Sequence, residues 1–84
     1  MNLENGSIIE LDGMNCCVLD IQNIDNITHI YVVEMEDDDI TENFYVYRMN
    51  SNNFFEKVVN SDELKVILPI FIQSMSKELN GGEF

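Results

Sequence analysis

Two stretches decide the fold: Thr28-His29-Ile30-Tyr31-Val32-Val33-Glu34-Met35 and, after a polar segment, Asn43-Phe44-Tyr45-Val46-Tyr47-Arg48. Both are rich in β-branched and aromatic residues, which suit a pleated strand. The polar segment between them, residues 36–42, reads as a loop. A connection this short lets two strands pair antiparallel, whereas parallel pairing needs a crossover of about a dozen residues or more. Toward the N-terminus, Ser7-Ile8-Ile9-Glu10-Leu11 stops at Asp12-Gly13, a dipeptide suited to a hairpin turn. Cys16-Cys17-Val18-Leu19-Asp20-Ile21 follows and stops near Asp25-Asn26. Toward the C-terminus, Asn50-Ser51-Asn52-Asn53 reads as a turn and residues 54–59 as a fifth strand.

The period changes after residue 60. Leu64, Ile67, Leu68, Phe71, Ile72, Met75 and Leu79 recur three and four residues apart, one face of a helix. Asn60 is placed to cap it, with Glu63 three residues on as in a capping box. Asn80-Gly81-Gly82 supplies a stop. Pro69 falls in the middle, where proline removes one main-chain hydrogen bond at a cost of ~3 kcal/mol. The helix is therefore expected to kink at Pro69, or to divide into two short helices meeting at Leu68.

The predicted fold is α+β: one domain over residues 1–84, an antiparallel meander of about five strands with one C-terminal helix on one face. Tyr31 and Val33 alternate with Ile30 and Val32, and Tyr45 and Tyr47 alternate with Phe44 and Val46. These strands are apolar on both sides. A single helix covers one face, so the other is expected to meet water, a partner or a second copy.

Charge is distributed unevenly. The chain has 84 residues and a formal net charge of −12. Residues 1–47 hold eleven acids and no Lys or Arg, while all four basic residues (Arg48, Lys57, Lys65 and Lys77) lie beyond them. Six of the acids fall within residues 34–42: Glu34, Glu36, Asp37, Asp38, Asp39 and Glu42. Glu34 and Glu36 are two apart in a strand and share a face at a spacing of about 6.7 Å. Such a field repels nucleic acid and anionic membranes and attracts basic surfaces. A 45% hydrophobic fraction is too high for a disordered acidic tail.

Motifs for chemistry are missing from the pattern. The run from Asp37 begins like a calcium loop, but Glu42 stands where the sixth-position glycine is required and Arg48 where the twelfth-position Glu is required. His29 is the one histidine, without a second to share a metal. Cys16 and Cys17 are adjacent, point to opposite faces of an extended strand, and lack CxxC spacing. Strand alternation places Asp20 beside Val18 and Cys16, where it would pair with Arg48 or cap a turn. No glycine-rich phosphate loop or nucleophile elbow is present. No cofactor, metal or catalytic residue is expected. The start of the chain lacks the basic and apolar regions of a signal peptide, and no apolar run reaches the ~18 residues of a membrane span. The expected location is the cytoplasm.

The pieces Ile8-Ile9-Glu10-Leu11, Val18-Leu19-Asp20, Tyr31-Val32-Val33-Glu34, the acidic run 36–42, Phe44-Tyr45-Val46-Tyr47 and Glu63-Leu64 together resemble the YrzB-like family of small acidic proteins of low-GC Gram-positive bacteria and their phages. The resemblance implies a small acidic sheet-plus-helix protein. That family has no established activity, so it assigns no functional residues here.

Size and charge also resemble, in physical type, phage-encoded DNA mimics and inhibitors of CRISPR or restriction systems. The expected function is a non-enzymatic interaction protein that occupies a basic, nucleic-acid-binding surface on a partner protein. Its expected partner-binding residues are Glu34, Glu36, Asp37, Asp38, Asp39 and Glu42, with Tyr45 and Tyr47 as aromatic anchors. The alternative is a small cytosolic module or homodimer whose charge serves only solubility.

Overall fold

The computed structural model describes residues 3–81, with side chains through residue 77. Five strands, β1 (Ile8–Leu11), β2 (Met14–Ile24), β3 (Ile27–Glu36), β4 (Asp39–Met49) and β5 (Phe55–Lys57), precede one helix, α1 (Ser61–Gly81). The strands form one antiparallel sheet in sequence order. The α+β meander expected from the pattern is therefore present. Leu79 of the expected helical face lies in α1 but its side chain is outside the described part, as is Gly82 of the expected stop.

Three two-residue turns join the first four strands. Asp12 and Gly13 have φ of 51° and 78°, and Asp25 and Asn26 have 54° and 66°. Paired positive φ values are what a type I′ hairpin turn demands, and Asp, Asn and Gly tolerate them best. The third turn corrects the expected loop over residues 36–42. Only Asp37 and Asp38 lie outside strands, with Asp37 at φ 57°. Residues 39–42 already belong to β4. Their polarity reflects exposure on a strand, not absence of one. The Thr41 hydroxyl donates to the Glu34 carbonyl at 2.9 Å and steadies the β3–β4 irregularity there.

A bulge at Leu19 corrects a second expectation. Val18 pairs with Val32 but Asp20 pairs with Tyr31, so Leu19 is the extra residue. One extra residue moves everything after it to the other face. Asp20 therefore leaves the Cys16–Val18 side and is buried beneath α1, 3% exposed. It does not meet Arg48. It accepts a hydrogen bond from Gln22 Nε2 at 3.1 Å, and the same amide donates to Ser74 Oγ of α1 at 2.9 Å.

Both faces of the sheet are buried, by different means. On one, Val46 and Val58 pack with Ile67 and Phe71 of α1, and Tyr31 stacks on Phe71 with ring centroids 5.5 Å apart. On the other, Leu11, Cys16, Val18, Ile30, Val32 and Tyr47 form a second cluster with no helix over it. That face was expected to meet water or a partner. Instead the sheet curls back on itself. Tyr47 Oη donates to Asp12 Oδ2 at 2.8 Å, linking β4 to the β1–β2 turn although two strands separate β1 from β4 in the sheet. The right-handed twist of strands and the bulges at Leu19 and near Glu34 give the bend its physical basis.

α1 begins where expected. Asn60 Oδ1 accepts from the Asp62 and Glu63 amides at 2.9 and 3.0 Å, while Asp62 and Glu63 place negative charge on the first turn. The expected division at Leu68 does not occur, because α1 passes Pro69 as one element. Pro69 and Lys65, whose carbonyl loses its partner, are both exposed, which places the freed group on the solvent side of the helix. Leu64, Ile67, Leu68, Phe71 and Met75 pack on the sheet from both sides of the proline, whereas Ile72, expected on the same face, is 56% exposed. Pro69→Ala restores the missing bond and is expected to raise stability by about 1–3 kcal/mol. Urea unfolding monitored by circular dichroism checks this; an unchanged or lowered midpoint would contradict a helix continuous through residue 69.

Candidate functional site

The β3–β4 hairpin presents the six acids. Glu36, Asp37, Asp38, Asp39 and Glu42 are exposed, and Glu34 is half-buried. Glu36 and Asp39 are direct cross-strand partners. Like charges in that relation cost stability, typically a few tenths of a kcal/mol to about 1 kcal/mol. Glu34 pairs with Cys16 across β2 and accepts a hydrogen bond from Asn43 Nδ2 at 3.1 Å.

Few cations are free to neutralise them. Among the described residues the one ion pair joins Arg48 to Glu63 of α1, away from the hairpin acids. No hairpin acid lies within 4.0 Å of a basic nitrogen there. Lys57 stands over aromatic faces, with Nζ 4.4 Å from the Tyr45 ring centroid and 6.0 Å from that of Tyr47. Lys65 and Lys77 project from exposed positions on α1.

The two expected aromatic anchors part company. Tyr45 is half-buried beneath Lys57, whereas Tyr47 is 0% exposed and tied to Asp12. Tyr47 holds the core and offers no area to a partner. Phe44, not singled out from the pattern, is instead 48% exposed and stacks on Tyr31 with centroids 5.8 Å apart. It borders a groove of about 440 Å³ between β4 and α1, lined also by Val59, Leu64 and Leu68. Strand alternation already put Phe44 opposite Tyr45; what hid it was the unknown extent of the helix over that face.

Beyond this surface the ionisable groups are structural. Burial and then the Glu34 carboxylate push the Cys16 thiol up from its ordinary value, against a smaller opposing effect of Lys57, with the Asp12 carboxylate adding a lesser push upward. A thiol held protonated in this way is a poor nucleophile. Both cysteines are free. His29 is buried and its Nδ1–H donates to the Ile27 carbonyl at 2.9 Å. Among the described residues, no three His, Cys, Asp or Glu side chains are arranged to hold a metal ion, and no helix is long and apolar enough to cross a membrane. Comparison with known proteins finds no matching family model, no similar curated protein and no similar solved structure.

Burial, the hydrogen bond to Asp12 and the Asp12 charge push the Tyr47 phenol far above its ordinary value of 10. Above pH 10 the unfolded chain therefore releases a proton that the folded chain retains, and stability falls as pH rises. Cys16 begins the same trend near its ordinary value of 9.0. Urea midpoints measured from pH 8 to 11 should decline, with a shallower decline for Tyr47→Phe, which has no phenol to titrate. Parallel declines in the two proteins would contradict this role for Tyr47.

Proposed function

We propose that the chain is a non-enzymatic interaction protein whose β3–β4 hairpin occupies a basic, nucleic-acid-binding surface of a partner protein in the cytoplasm, in the manner of a DNA mimic or a phage-type inhibitor of nucleic-acid-directed defence. One observation supports the reading most. Six carboxylates gather on one hairpin without a basic nitrogen in ion-pair reach among the described residues. The fold tolerates the repulsion of the Glu36–Asp39 pair, where a Lys at either place would relieve it. Uncompensated charge of this kind steers oppositely charged surfaces into contact, and its reach shrinks with salt to about 8 Å at physiological ionic strength.

A second reading, that the charge serves solubility in a small module or homodimer, draws on a different observation. Residues 39–45 of β4 form a sheet edge, and acids on a bare edge stop two edges from pairing. On that reading the neutralised hairpin self-associates and has no partner to lose.

The experiment is affinity capture from bacterial lysate at low salt, comparing the protein with its Asp37→Asn/Asp38→Asn/Asp39→Asn variant. The expected result is capture of a nucleic-acid-binding protein that elutes as salt rises and is displaced by duplex DNA, with about tenfold or greater loss for the variant. Capture insensitive to salt, to DNA or to the substitutions would overturn the proposal. A variant that sediments as a dimer while retaining no partner would favour the solubility reading.

A further inference from the structure

The β5 ladder covers only the last part of β4. Tyr47, Arg48 and Met49 pair with Lys57, Glu56 and Phe55, and Val58 N–H donates to the Val46 carbonyl at 2.8 Å. From Asp39 to Tyr45, β4 has β3 on one side and no strand on the other among the described residues. Val46 turns its carbonyl toward β5, so by the two-residue alternation of an antiparallel ladder Phe44 turns its N–H and C=O to the same open side. Unpaired main-chain groups of this kind are a template for another strand.

The surroundings of the edge restrict what that strand can be. Asp39 and Glu42 lie on it, and Glu36, Asp37 and Asp38 lie at its start. A second copy aligned there would set acid against acid, whereas a strand bearing Lys or Arg would set opposite charges together. Beside the edge, the groove lined by Phe44, Val59, Leu64 and Leu68 opens toward α1. Phe44 and Val59 are 48% and 76% exposed, so the groove is open and mostly apolar; its one cation, Lys57, is held against the Tyr45 ring. Strand side chains alternate between faces, so one set would enter the groove and the other would stand on the opposite side of the sheet.

We infer that this edge receives an extended basic segment of a partner protein, added antiparallel or parallel to β4 as a sixth strand, with apolar residues in the Phe44–Leu68 groove and Lys or Arg beside the hairpin acids. The inference rests on the acidic interaction reading and names its mode: main-chain pairing supplies a docking register that charge alone lacks.

The probe is the heptapeptide Lys-Val-Lys-Val-Lys-Val-Lys, with two companions: the same peptide N-methylated at alternate residues, which keeps its charge but cannot pair, and Glu-Val-Glu-Val-Glu-Val-Glu. Binding is followed by amide shifts and hydrogen exchange of the full chain. The expected result is binding of the Lys peptide with slowed exchange at the Phe44 amide, about tenfold weaker binding of the N-methylated form, and none of the Glu peptide. Equal binding of the methylated and unmethylated Lys peptides would overturn strand addition while leaving the acidic surface reading intact. Failure of all three peptides, or a dimer formed through residues 39–45, would overturn the edge as a basic-strand site. The acidic reading is judged separately by the salt and DNA dependence of capture.

Discussion

The structure depends on a sheet that must bury both of its faces with a single helix at hand. Ile30, Val32 and Val33 of β3 and Val46 and Tyr47 of β4 are buried on both faces, so the middle of the sheet has no polar side to turn to water. A flat sheet would leave one apolar face bare. Bending solves this, and the Tyr47–Asp12 hydrogen bond ties the bent form across the two strands between β1 and β4. Everything that distinguishes the surface follows. The turn at Asp12 is drawn inward, α1 is confined to the outer face, and the β3–β4 hairpin is left to solvent.

The element order could be read directly from the chain because each cue was local. Asp12-Gly13 and Asp25-Asn26 mark turns through backbone conformations that few residues accept. The apolar face from Leu64 to Met75 needs only helical spacing. What could not be read depended on contacts distant in sequence. Nothing near Leu19 announces a bulge, yet that residue decides which face Asp20 occupies. Nothing in the alternation of Tyr45 and Tyr47 tells a half-buried ring from a fully buried one; only the curl does, by bringing Asp12 over Tyr47. Polar composition at residues 39–42 resembled a loop because a charged, open strand edge and a loop meet the same solvent.

The acidic run was visible as composition, while its placement required the fold. Register sets Glu36 against Asp39, and the short β5 exposes the adjoining edge of β4. Charge and open main chain thus meet on one strand. Two of the four cations are engaged away from the hairpin acids, Arg48 with Glu63 and Lys57 with the tyrosine rings, and the other two, Lys65 and Lys77, project from α1.

The amide of Gln22 has a different consequence. It bridges the Asp20 carboxylate and the Ser74 hydroxyl at the half-buried margin of the apolar contact between α1 and the sheet. Apolar packing alone tolerates sliding, since leucines and isoleucines a turn apart are nearly interchangeable. Displacing α1 by one turn would bring Ile70 in place of Ser74 opposite the half-buried amide and lose that hydrogen bond. The bridge works as an indexing pin: it adds little to how strongly the helix holds, and much to where along the sheet it comes to rest.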